Sequence, residues 1–89
     1  MAFAVTTLDF SNAKALFQEG LTAVSKGEET FDFAELKQVD SASVSVMLAW
    51  QRAALRSGRK IRFLNVPASL VSLADLYGVT ELLDLVVRA

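Results

Sequence analysis

Short apolar segments alternate with amphipathic helical segments along the whole chain, and this alternation is what most constrains its fold. Residues 3–8, 30–36 and 60–66 are rich in β-branched and aromatic residues, which predicts strands. Between them, apolar residues recur three to five positions apart, which predicts helices. Strands that alternate with helices need crossover connections and favour a parallel sheet. We therefore predict an α/β fold, in which three to four helices pack mainly on one face of a mainly parallel or mixed sheet.

The expected helices have recognisable ends. We expect Ser11 or Asn12 to be the N-cap of the first helix, because short polar side chains are common at N-cap positions. The second runs from about Ser41 to Arg56, and the third begins at Pro67, whose missing N–H costs nothing in a first turn. Residues 80–87 fit a short helix followed by a Val-rich strand, or either alone, and both possibilities stay open.

Length and composition exclude several classes of function. A chain of 89 residues is expected to form a single domain, over residues 1–89. The formal net charge of −1 disfavours a nucleic-acid partner, since a phosphate-binding surface needs a basic excess. With no His and no Cys, the chain lacks the commonest general base, the commonest metal ligand and a thiol nucleophile. We expect no catalytic residue, no metal and no cofactor.

No segment has the pattern of a signal peptide or of a membrane span. The first residues lack a basic region followed by a long apolar core, and no apolar run approaches the ~20 residues that cross a bilayer. A cytoplasmic location is therefore expected, with any contact to a membrane indirect.

The start of the second helix is the most informative place for function. Asp40 and Ser41 put a carboxylate and a hydroxyl at the positive end of a helix, where several backbone N–H groups lack intrahelical partners. Two interpretations of Ser41 stay open. It is an N-cap bonded to the amide of Ser43 or Val44, or it presents its hydroxyl for phosphorylation or to a partner.

The remaining candidates are an acidic residue, a serine and an aromatic. Asp9 also ends a strand, so it serves either loop capping or partner binding. Ser43, a small polar residue in the first turn, is expected either to leave room for a partner's close approach or to lie on a solvated helix face. The second helix is apolar around more than half its circumference, so its Trp50 is either a core residue or an anchor for a partner. The predicted partner-binding residues are Asp9, Asp40, Ser41, Ser43, Val44 and Trp50.

Several stretches resemble the STAS domain family, to which the anti-sigma-factor antagonists belong. Leu8-Asp9 is similar to the family's approach to its first helix, and residues 31–33 with 39–41 are similar to its strand, loop and Asp-Ser junction. Residues 58–70 and 73–79 most closely resemble the MlaB-like branch. The family's antagonists usually have glycines after the Asp-Ser pair, and this chain has none there.

The resemblance implies a function in binding. MlaB-like proteins are small, non-catalytic subunits that dock on the ATPase of a bacterial phospholipid-transporting ABC system, which acts in lipid asymmetry. Such a subunit would reach the inner face of the inner membrane only through its partner. The alternative is an anti-sigma-factor antagonist whose Ser41 is phosphorylated by an anti-sigma factor kinase. A third hypothesis is a nucleotide-binding module with phosphate at the helix N-terminus.

Overall fold

The computed structural model describes residues 2–88 and has the α/β architecture that the sequence predicts. In chain order, its elements are β1 (Phe3–Ala4), α1 (Ala13–Ser25), β2 (Thr30–Asp32), α2 (Ser41–Arg56), β3 (Arg62–Val66), α3 (Ala68–Leu76), a 3-10 turn (Thr80–Leu82) and β4 (Asp84–Val87). Both possibilities for residues 80–87 occur together, since a helical turn precedes the fourth strand.

Within residues 2–88 the four strands form one parallel sheet in the order β1-β2-β3-β4. Each neighbouring pair is joined through a helix. Because such crossovers are right-handed, three successive ones in this order place α1, α2 and α3 on the same face of the sheet. The same order brings the carboxyl ends of all four strands to one edge.

Three strands are shorter than their apolar patterns predict, β3 by only two residues and the other two by four each. β2 stops at Asp32 because its Oδ1 accepts a hydrogen bond from the amide of Ala34 (3.0 Å) and turns the chain. Phe33 is nevertheless fully buried. β1 contains two residues, although Leu8 further along forms an isolated parallel bridge with Val39. Apolar residues therefore continue beyond the hydrogen-bonded part of each strand, and their side chains still fill the core.

Trp50 lies at the centre of the core and is fully buried. Its ring centroid is 5.0 Å from that of Phe31, and its Nε1 donates a hydrogen bond to the carbonyl of Phe17 (3.0 Å). A Cβ on Gly20 would come within 2.2 Å of the indole, so α1 approaches α2 at that glycine. The wide apolar face of α2 is thus covered by the sheet and α1, and the prediction that Trp50 contacts a partner is wrong.

Candidate protein-docking site

Two loops meet at the carboxyl edge of the sheet: the first follows Leu8 and leads into α1, and the second follows β2 and leads into α2. The pairing of their residues brings them together. Leu8 and Val39 pair in the parallel bridge, so the residues that follow them, Asp9 and Asp40, leave the sheet side by side. The amide of Phe10 donates to Oδ2 of Asp40 across the two loops (3.3 Å). The structure therefore joins the two acidic residues that the sequence singled out.

Asp40, and not Ser41, is the N-cap of α2. Its Oδ1 accepts a hydrogen bond from the amide of Ala42 (2.9 Å), while its own amide donates to Oγ of Ser43 (3.1 Å). This reciprocal pair is a capping box. The predicted N-cap role of Ser41 is wrong because the neighbouring carboxylate already performs it. A phosphate at this helix end would meet the charge of Asp40, which disfavours the nucleotide-binding hypothesis.

Ser43 and Val44 face the interior. Ser43 is fully buried, and its Oγ donates to the carbonyl of Leu8 (2.6 Å), which fastens the first loop to the start of α2. Val44 is 3% exposed and belongs to the core. Neither side chain is available to a partner, so the prediction that Ser43 and Val44 contact a partner is wrong. Ser43 instead supports the loop, and Val44 packs in the core. Their positions follow from helical geometry, which turns the third and fourth residues of α2 toward the sheet.

Asp9 is held by its own loop. Its Oδ1 accepts hydrogen bonds from the hydroxyl of Ser11 (2.6 Å) and from the amide of Ser11 (2.9 Å). The Ser11 hydroxyl is the main cause that holds the pKa of Asp9 below its ordinary value, so the carboxylate is charged at neutral pH. Asn12 completes the turn, because its Oδ1 accepts from the amide of Asp9 (2.9 Å).

An open groove of about 530 Å³ lies between the two loops. We call it the junction groove; its lining residues are Asp9, Phe10, Ser11, Lys37, Gln38, Val39 and Asp40. Phe10 is 76% exposed, an unusual position for a large aromatic side chain. Phe10, Lys37 and Gln38 were not among the contact residues predicted from the sequence. An aromatic residue in a predicted loop, directly after the acid that ends a strand, was the available signal for Phe10.

Ser41 directly follows Asp40, the last lining residue of the groove, and is half-buried. It is the first residue of α2. Within residues 2–88, its hydroxyl forms no hydrogen bond, in contrast to the hydroxyl of Ser43 two residues later. Ser41 is therefore partly exposed, and its hydroxyl has no bonded partner among these residues.

Residues 4–86 match the family model described as "Mlab, STAS domain". The chain belongs to the STAS domain family. The resemblance of the sequence to this family is thereby confirmed, and the four-stranded parallel sheet with three helices is consistent with a STAS fold. Membership supports a protein-interaction or regulatory domain. No curated protein matches the chain.

The chemistry of the groove suits binding. Both carboxylates accept hydrogen bonds from backbone amides, and that of Asp9 also accepts one from a hydroxyl, so the two side chains are fixed in place. Across the described part of the chain, no three His, Cys, Asp or Glu residues cluster as metal ligands would. The same residues include no helix with the length and apolar character needed to cross a bilayer.

Proposed function

We propose that this chain is an MlaB-like, non-catalytic subunit that docks on the ATPase of a bacterial phospholipid-transporting ABC system. The match of residues 4–86 to the Mlab-type family model carries this proposal. The proposal places the protein in the cytoplasm, at the inner face of the inner membrane through its partner, where it would serve lipid asymmetry.

The junction groove supplies the centre of the proposed contact. Phe10 offers a large apolar surface, and the charged groups of Asp9, Lys37 and Asp40 surround it. Aromatic side chains inside a polar rim are the usual anchors of protein interfaces. Ser41 adds a hydroxyl at the edge, where a partner can accept or donate a hydrogen bond.

The groove alone is too small for a stable complex. A specific interface covers roughly 800 Å² on each partner. The proposed contact therefore continues along α2 and α3. Leu55 is 57% exposed and Leu82 is 61% exposed, and both line a second shallow groove beside α2 together with Leu48, Gln51 and Arg52. An ATPase that lies along α2 would cover both grooves.

Docking can regulate the ATPase by differential contact. If the subunit binds one conformation of the ATPase more tightly than another, it shifts the population toward that conformation. The subunit itself then needs no reactive group, which agrees with a site whose carboxylates are held by amides.

Copurification and a measured affinity for the ATPase test the proposal. We expect the wild-type protein to bind, and Phe10→Ser and Ser41→Glu each to weaken binding at least about tenfold, a loss of about 1.4 kcal/mol. Gln18→Glu is the matched control, because it adds one negative charge at an exposed position of α1. A wild-type protein that does not bind the ATPase refutes the proposal. Equal binding by the groove variants and the control refutes the proposed surface.

The hydroxyl of Ser41, which is partly exposed and forms no hydrogen bond within residues 2–88, favours one second candidate, an anti-sigma-factor antagonist switched by phosphorylation. A phosphate would add a charge of about −1.5 to −2 beside Asp40 and would change the partner surface more than the fold. Incubation with anti-sigma factor kinases and ATP should then give a one-phosphate mass gain that Ser41→Ala abolishes. No gain on Ser41 removes the mechanism of this candidate.

A further inference from the structure

Arg88 follows β4 and reaches across the carboxyl edge of the sheet. Its Nη2 donates to the carbonyls of Phe33 and Leu36 (the latter at 3.3 Å), and its Nε donates to the carbonyl of Asn65 (3.3 Å). Its amide also donates to the carbonyl of Val66 (2.8 Å). One side chain thus joins the end of β3 to the turn that follows β2.

A second set of hydrogen bonds, centred on Asp32, holds the start of the same turn. Nδ2 of Asn65 donates to Oδ1 of Asp32 (2.9 Å), and the same oxygen accepts from the amide of Ala34. Asn65 has a φ of 55°, in the left-handed region, where Asn is among the few side chains that are tolerated. The turn at residues 33–36 is therefore fixed by side chains from β3 and from beyond β4.

This turn leads directly into the junction groove. Leu36 is buried, and the next residues along the chain are Lys37, Gln38, Val39 and Asp40, which line the groove. Between the turn and the capping box, the backbone is held to the first loop by the Leu8–Val39 bridge. The carbonyls of Phe33 and Leu36 attach the loop to Arg88, and the amide of Phe33 attaches it to β3 through the carbonyl of Leu64 (2.9 Å).

We propose that Arg88 is a positioning residue for the junction groove: it fixes the loop of residues 33–40 and thereby the side chains that a partner would contact. The effect on partner binding rests on the proposed function. The positioning itself does not, because it is a property of the protein alone. An arginine suits this role better than a lysine, since its planar fork can bond several carbonyls at once.

Hydrogen exchange of the amides of residues 34–40 tests the positioning. We expect Arg88→Gln to raise exchange there about tenfold, and Arg88→Lys to rescue part of the protection because one ammonium can still reach one carbonyl. Arg62→Gln is the matched control, since it removes a cation that pairs with Asp84 (3.6 Å) near the start of β3. Equal exchange in Arg88→Gln and Arg62→Gln overturns the proposal.

The affinity for the ATPase then separates this proposal from the proposed function. If the wild-type protein binds, we expect Arg88→Gln to weaken binding about fivefold to tenfold while Arg62→Gln does not. Faster exchange with unchanged affinity overturns the link between the loop and docking. If the wild-type protein does not bind, the proposed function fails, and the exchange measurement still decides whether Arg88 holds the loop.

Discussion

Replacement of Ser43 by Ala removes one of the contacts that tie the two loops together, beside the Leu8–Val39 bridge and the hydrogen bond from Phe10 to Asp40. The hydroxyl of Ser43 donates to the carbonyl of Leu8 and accepts from the amide of Asp40. Alanine lacks only the Oγ atom, so the change tests these hydrogen bonds with the smallest possible change in packing. Both loops that line the junction groove would lose a common attachment.

The expected cost follows from the two groups that lose their partner. Leu8 is fully buried, so its carbonyl would lie in the interior unbonded, at a cost of about 1–3 kcal/mol. The loss of half of the capping box adds about 0.5–1 kcal/mol. We expect the free energy of unfolding to fall by about 2–3 kcal/mol in total. With a urea dependence of about 1–2 kcal/mol per molar, the unfolding midpoint should fall by about 2 M.

Urea unfolding followed by fluorescence measures this change, because Trp50 is the only Trp and is fully buried. Ser45→Ala is the matched control: it removes a hydroxyl two residues later at an exposed position, where about 0.5 kcal/mol or less is expected. If both variants unfold at the same urea concentration, the hydroxyl of Ser43 does not support the fold and the reasoning on the buried carbonyl is refuted.

Three further predictions concern the core and the acidic turn. Gly20→Ala should lower the melting temperature by about 10 °C, since the added methyl meets the buried indole at 2.2 Å, and an unchanged melting curve would contradict the close approach. Gln51→Leu should cost about 2–4 kcal/mol in urea unfolding, because it leaves the amide and carbonyl of Ile61 unbonded, whereas Gln18→Leu on the exposed face of α1 should change little. The hydrogen bond from Asn65, the Ala34 amide and the charge of Arg88 lower the pKa of Asp32 below 3.8, so the stability it adds is present above that pH and lost as the pH falls through the lowered value. Unfolding midpoints between about pH 2 and pH 5 should therefore vary less in Asp32→Asn than in the wild-type protein, and identical pH profiles would contradict this assignment.

The fold could be predicted because its signals are local and periodic. The Asp40-Ser41 junction and the Ser57-Gly58 pair predicted both ends of α2, Ser41 and Arg56, as the structure has them. Strand ends were less predictable. β2 ends where the side chain of Asp32 captures the amide of Ala34, a hydrogen bond that apolar alternation does not report.

The candidate site was predictable in its location and less so in its members. Asp9 and Asp40 were each predicted to follow a strand and precede a helix, and the structure brings these two strand ends to one edge of the sheet. The side chains of Ser43 and Trp50 were assigned to the wrong environment, because a helix that is apolar around most of its circumference does not reveal which part of it another element covers. Whether the exposed members bind a partner stays a prediction.

The strand order has a consequence for how the chain acquires its structure. Phe3 pairs with Phe31, Thr30 with Arg62, and Arg62 with Asp84, so a whole helix separates the two members of every pair. No pairing among residues 2–88 can begin as a hairpin, and each requires a long loop to close first. Folding should therefore start where a helix collapses onto its flanking strands, and it should be slower than in helical bundles of similar length.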